Sequence, residues 1–454
     1  MTTSPHPRSH NQGTVLGPKS IAEFERSKIL TPGGSMRSAT FFAPQPPYAA
    51  AGSGTFITDV DGRRLFDCAN NFFSLIHGHA FAPVVNALHA ALDHGTAFGL
   101  PLAGESDLAE EIRRRAPLLE QIRFVNSGTE AVMFAVKAAR AITGRPAIAK
   151  FEGAYHGAYD HVEISLDSTP ANWGEAHPAS VAYAKGTPVA VAADTVVLRF
   201  NEPAECLKLL ERHGHRLACV LLDPLASRVG MVPATEEFRN VLQETCRRLG
   251  ILLVLDEVIS FRLGHGGAHS VFGLEPDLVA LAKIIGGGLP VGAVAGPARH
   301  MAIFDHTKGK PAVSHGGTFS ANPLSMMAGL VALRAYDADA VARLNRLGDF
   351  LRGETSAGFD RRGLPAQMTG FGSLFRLHPS RNVITDYRTC YQSAAQKAAI
   401  QAIHFQLLER GFMLTPNCSG ALSTPMTETD IADLATEIVE AVVEIHGKAP
   451  WVRR

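Results

Sequence analysis

Cysteine is scarce in this chain of 454 residues: there are six, Cys68, Cys206, Cys219, Cys246, Cys390 and Cys418, and none stands in a Cys-x-x-Cys pair or another metal-ligand spacing. Scattered thiols of this kind point to a reducing, cytoplasmic setting, with neither a metal nor a disulfide expected. Charge of one sign is lacking too. Lys plus Arg and Asp plus Glu number 43 each, so no global field draws the chain to nucleic acid, an anionic membrane or a polyanion. No apolar run approaches the roughly 20 residues that span a bilayer. Residues 1–19 are rich in Ser, Thr, Pro, His and Gly and lack the continuous apolar core of a secretory signal, so they read as a flexible leader. There is no internal repeat. What is present is 46% hydrophobic content, enough for the large core of one or two packed domains whose partner is a small molecule.

From about Ile122, short apolar runs alternate with longer helical patterns, the rhythm of βαβ units and a mostly parallel sheet. The expected buried strands are Ile122–Val125, Ala147–Phe151, Val196–Phe200, Ala218–Leu222, Ile251–Leu255 and Val291–Ala295. Ligands in such folds gather beyond the carboxyl ends of strands, which directs interest to Ser127, Tyr155, Asp223 and Asp256. The flanks differ: Thr55–Asp67 reads as a hairpin turning at Asp61-Gly62, and Asp430–Ile445 as a final helix. We expect a large domain over 72–324 and a smaller one built from 20–71 and 325–454.

Four local features carry chemistry. Asn126-Ser127-Gly128-Thr129-Glu130-Ala131 stands between a strand and a helical run, where free amides, two hydroxyls and a glycine make a phosphate cradle; Ser127 would serve equally as an N-cap. Asp256 closes the apolar run Ile251–Leu255, and a carboxylate there is costly without a cationic partner such as a pyridinium nitrogen; capping a turn and binding a metal are the alternatives. Lys283 is flanked by apolar residues and followed by Gly286-Gly287-Gly288, a setting that desolvates the amine and makes it a nucleophile, although a snorkelling lysine has the same look. The loop Gly316–Pro323 can present Thr318 to an anion, or be an ordinary loop. The glycine triplet precedes a strand instead of joining strand to helix, so a Rossmann dinucleotide site is excluded.

In that order and spacing, Phe124–Ala131, Phe151–Gly157, Asp256-Glu257-Val258 and Lys283–Gly292 resemble the class III (ω-type) aminotransferases, which are pyridoxal 5′-phosphate (PLP) enzymes of fold type I. The nearest branch is that of the glutamate-1-semialdehyde aminomutases and β-phenylalanine-type β-amino acid aminotransferases, and the likeness runs from Thr31 to Asp430. It implies an α/β large domain with a mostly parallel sheet and a small α+β domain from both chain ends. It further implies that Lys283 holds PLP as a Schiff base and shuttles the proton, while Asp256 pairs with the ring nitrogen. Ser127, Gly128 and Thr129 would bind the phosphate, with Thr318 completing that site across a homodimer interface. Tyr155 and Val258 would flank the ring, and His156 and Glu130 would give structural support. Asp223 stands where relatives have Glu, which leaves its role open.

For the substrate, the resemblance makes Arg37 the carboxylate-binding arginine, a bidentate fork that orients as well as holds, and it places Phe72 and Phe73 at the entrance. Two adjacent phenylalanines are as readily core. Arg262 would serve a second carboxylate or only its loop. The segment Asn417–Gly420 lacks both the arginine of the β-phenylalanine enzymes and the acidic residue of the aminomutases. The expected activity is amino transfer from an amino acid or amine to a keto or aldehyde acceptor; its rivals are an aminomutase, an epimerase or decarboxylase on the same scaffold, and a catalytically silent binder. Retention of both Lys283 and Asp256 argues against the last.

Overall fold

The computed structural model describes residues 16–449 and Trp451. Most of the expected leader, residues 1–15, lies outside them, and Pro18 and Lys19 already belong to the first helix, Pro18–Leu30. Strands β1 (Ala49–Ser53), β2 (Phe56–Asp59) and β3 (Arg64–Asp67) form an antiparallel meander. The β2–β3 turn is the expected one: Gly62, with positive φ, donates its amide to Asp59 O, and the Asp59 carboxylate takes the amides of Asp61 and Arg63.

Seven strands make the central sheet: β4 (Gln121–Val125), β5 (Ala147–Phe151), β6 (Thr195–Leu198), β7 (Leu217–Leu222), β8 (Leu252–Asp256), β9 (Leu278–Ala282) and β10 (Gly292–Gly296). Their order is β4-β10-β9-β8-β7-β5-β6. Only β10 runs against the others, pairing antiparallel with both β4 and β9. Helices cover both faces, so β5, β7 and β9 are buried along their whole length and read as unbroken apolar runs instead of alternating ones. The expected strands lie within two residues of those found. The one not expected, β9, is the Leu-Val-Ala-Leu-Ala run before Lys283: with a single β-branched residue it looks like the apolar flank of a lysine rather than a strand.

The remaining strands are β11 (Gln367–Phe371), β12 (Leu374–His378), β13 (Phe412–Met413) and β14 (Ser419–Ala421). β13 joins the N-terminal meander by pairing parallel with β3, Phe412 opposite Phe66, so the two chain ends share one sheet. The last helix, Glu428–Lys448, is opened by a Thr427–Asp430 capping box and packs on the helix Ala338–Arg361. Among the described residues no helix is long and apolar enough to cross a membrane.

One core histidine sets a stability test. His404 lies on the helix Ala394–Glu409, 2% exposed, edge-on to Phe42 with ring centroids 4.7 Å apart, and neither ring nitrogen has a hydrogen-bond partner. Burial lowers its pKa from 6.5 to about 4. Above pH 6.5 neither folded nor unfolded chain carries this proton. Between 6.5 and about 4 the unfolded chain binds a proton that the folded chain refuses, so stability is lost as pH falls, by about 3 kcal/mol in full. His404→Leu is expected to be more stable than the parent at pH 8, because a buried unpaired polar ring is gone, and to lose less stability down to pH 4; urea unfolding across that range measures both.

Candidate active site

Because β4 to β9 run in one direction, their carboxyl ends open on a common edge, and a cavity of about 340 Å³ lies there. Lys283, Asp256, Asp223, Tyr155, Gly128 and Thr129 all line it. Leu222 pairs with Leu255, so the next residues, Asp223 and Asp256, leave adjacent strands side by side, both buried. One Asp256 oxygen takes the Val258 amide at 3.0 Å, and the other takes His156 Nδ1 at 2.8 Å. A carboxylate only accepts, so Nδ1 carries the hydrogen. Burial holds the His156 imidazole below its ordinary pKa despite this bond, which keeps the ring a neutral donor.

Asp223 accepts the Leu225 amide at 3.0 Å. Burial, reinforced by the charge of Asp256, keeps its carboxyl well above the usual carboxylate range. Burial also lowers the Lys283 amine, against the opposite pull of Asp256 and then Asp223. Lys283 sits in left-handed backbone, φ 55°, unusual for a side chain this long and the kind of strain that concentrates at functional positions. An amine that gives up its proton readily, beside one carboxylate held by two donors, is equipped for nucleophilic and acid–base work.

The helix Gly128–Thr143 begins at the same edge. Ser127 Oγ accepts the Glu130 amide at 3.2 Å, and Glu130 Oε2 takes the Asn126 amide at 2.7 Å, so both side chains brace the helix start. The amides of Gly128 and Thr129 have no intrahelical acceptor by helix geometry, and both residues line the cavity. Side chains are excluded there: a Cβ on Gly128 would meet Val258 at 3.1 Å, and one on Gly157 would meet Thr129 Oγ1 at 2.5 Å.

A second cavity of about 580 Å³ adjoins the first, and Asn71 belongs to the walls of both. Arg37 lies in the larger one, its guanidinium over the Phe72 ring at 5.8 Å and its Nη1 donating to Asn71 Oδ1 at 2.8 Å. Asn70, Asn71, Phe72 and Phe73 have φ of 45°, 48°, 53° and 72°, one complete left-handed turn without a glycine. Each such residue costs about 1–2 kcal/mol. The turn is pinned by Asp67 Oδ1, which takes the amides of Ala69 and Asn70, and by Asn70 Nδ2 donating to Ala421 O at 2.8 Å.

The family model Aminotransferase class-III matches residues 44–406. The chain belongs to the class III aminotransferases. A curated relative, the glutamate-1-semialdehyde 2,1-aminomutase of Methanothermobacter thermautotrophicus, is 37% identical over 88% of this chain and 92% of its own length. The solved ω-transaminase of Sphaerobacter thermophilus superposes with a TM-score of 0.92 at 44% identity, covering 96% of this chain and 99% of that one. The β-phenylalanine aminotransferase of Variovorax paradoxus gives 0.85 at 32% identity, covering 95% of each chain.

Class III aminotransferases are PLP-dependent enzymes of fold type I, and this one has the fold and a site that suits the cofactor. The lysine, the buried carboxylate and the unpaired helix amides of this class III chain line one cavity. Three residues named from the sequence line neither cavity within the single chain: Ser127, whose Oγ caps the helix, Phe73 and Thr318. Phe73 is 4% exposed and packs in the main core, lining neither cavity. Thr318 is exposed, in a separate surface depression with Leu100 and Phe319. Arg262 is fully buried with no carboxylate partner among the described residues: it donates to Ser373 Oγ, Phe73 O and Leu422 O, tying three segments together. Asn71 escaped sequence reasoning, although an Asn pair is the best signal for left-handed backbone short of glycine.

Proposed function

We propose that this class III enzyme is an aminotransferase that moves an amino group from a carboxylate-bearing amino acid, β-amino acids included, to a keto or aldehyde acceptor. The observation that carries the reading is Lys283: an amine of lowered pKa, in strained backbone, facing Asp256 and Asp223 across one cavity. Lys283 would hold PLP, Asp256 would face its ring nitrogen, Tyr155 and Val258 would flank the ring, and Gly128 and Thr129 with the Ser127-capped helix start would take the phosphate. When bound, PLP supplies the electron withdrawal that acidifies the substrate C–H bond. The chain's own part is proton movement and orientation. Lys283, freed by the incoming amine, would take the proton from the substrate carbon and deliver it to the cofactor carbon that bears the nitrogen; His156 keeps Asp256 oriented; Arg37 would grip the carboxylate; Phe72 stacks against Arg37 and steadies it.

We further propose a cytoplasmic homodimer. Support comes from six buried, unpaired cysteines, and from exposed Leu100, Phe98 and Phe319 around Thr318, an apolar rim suited to a second copy that would receive Thr318 at its phosphate site. The aminomutase-named relatives favour one second reading, return of the nitrogen to a neighbouring carbon of the same molecule. The test is a spectral titration of holoenzyme with α-amino acids, β-amino acids including β-phenylalanine, and simple amines. Conversion of the cofactor band by one donor without acceptor, with keto product released and turnover restored only by added acceptor, is the expected result. Turnover of glutamate-1-semialdehyde with no acceptor requirement would make it an aminomutase.

A further inference from the structure

We infer that Asn71 is a positioning residue for Arg37 and so a determinant of the preference for carboxylate-bearing donors, an inference that rests on Arg37 being the carboxylate site. The amide is locked at both ends. Its Oδ1 accepts from Arg37 Nη1 at 2.8 Å, and its Nδ2 donates to Ser74 Oγ at 3.1 Å, while Ser74 Oγ in turn donates to Asn71 O at 3.0 Å. The opposite amide orientation would set a donor against the guanidinium, so the oxygen faces Arg37. Ser74 lines the Lys283 cavity, and Asn71 lines both cavities, so this pair spans the route between the lysine and the arginine.

The choice of residue matters in two ways. A neutral carbonyl orients the guanidinium without neutralising it; Arg37 has no carboxylate partner among the described residues, only Asn71 and the Phe72 ring, and its charge stays available to a substrate. An aspartate would hold Arg37 more tightly and compete with the substrate for it. The left-handed turn, fixed by Asp67 and Asn70, is what aims the residue 71 side chain at Arg37, 34 positions earlier in the chain.

The experiment compares holoenzyme variants on two donors: the most active amino acid of the titration panel, and the amine that lacks its carboxylate. The readout is the ratio of their KM values, with the cofactor absorption band checking that the site is intact. Asn71→Gly keeps the left-handed backbone, which glycine adopts freely, and removes only the amide. It is expected to raise KM for the amino acid about tenfold relative to the amine, with kcat changed far less, the loss of one charge-assisted hydrogen bond. Asn71→Asp is expected to raise it further, to about 100-fold, and Asn71→Ser to recover part of the Asn71→Gly loss. Arg37→Gln separates the two readings. If Arg37→Gln raises the ratio and Asn71→Gly leaves it unchanged, this inference is overturned and the carboxylate role of Arg37 stands. If Arg37→Gln leaves the ratio unchanged, the role of Arg37 falls, and this inference with it.

Discussion

Lys283→Ala is expected to lower transamination by about 10⁴-fold or more, the largest effect of any single change in this chain. It removes the nucleophile proposed to hold the cofactor and the amine proposed to move the substrate proton, and a positioned acid–base group alone is worth up to about 10⁴-fold. The loss has a signature besides activity. Borohydride treatment of the parent holoenzyme should fix the cofactor to the peptide carrying Lys283, and the variant should release all of it on denaturation. Cofactor still fixed by borohydride to another lysine, with activity retained, would refute the assignment. Lys150 is the instructive comparison: burial lowers it to about 7, yet its Nζ is spent on Ile164 O at 2.8 Å within the core. A depressed lysine alone does not mark a nucleophile; one that opens on a cavity does.

Arg262→Met is expected to cost about 4 kcal/mol of stability, read as a lower urea midpoint at unchanged slope. The guanidinium is fully buried, its pKa pushed down to about 10, so it stays charged at neutral pH. Three acceptors, Ser373 Oγ, Phe73 O and Leu422 O, have been desolvated to receive it, and methionine would strip this donor from all three, leaving the two carbonyls unpaired while Ser373 keeps its bond with Tyr336. Phe73 O belongs to the left-handed turn. The same variant should therefore also raise KM for amino acid donors, since the strained turn that aims Asn71 loses one of its ties.

The sheet was legible in the chain because buried parallel strands are unbroken apolar runs with turns at their ends, and each expected strand lies within two residues of its true position. Asp256 was legible at the sheet edge for a related reason, since it follows such a run directly; Lys283 was singled out by its apolar flank and glycine triplet, and its place beside Asp256 emerges only with β9. Arg37 was named from the sequence, but its contact with Asn71 was not, because that meeting depends on a turn that Phe72 and Phe73 would not adopt alone. Arg262, close in sequence to Asp256, was left between a second carboxylate site and its local loop; its clamp partners at 73, 373 and 422 lie too far along the chain for spacing to disclose. Asp223 could be placed beside Asp256 only once the pairing of β7 with β8 was known.

The bond from Asn70 Nδ2 to Ala421 O joins residues 351 positions apart. A chain emerging from the ribosome can therefore complete the central sheet, with Lys283 and Asp256 in place, while the turn that aims Asn71 is held by Asp67 and still lacks its tie to Ala421. The lysine edge is set early in synthesis and the carboxylate grip last, after β14 has left the exit tunnel.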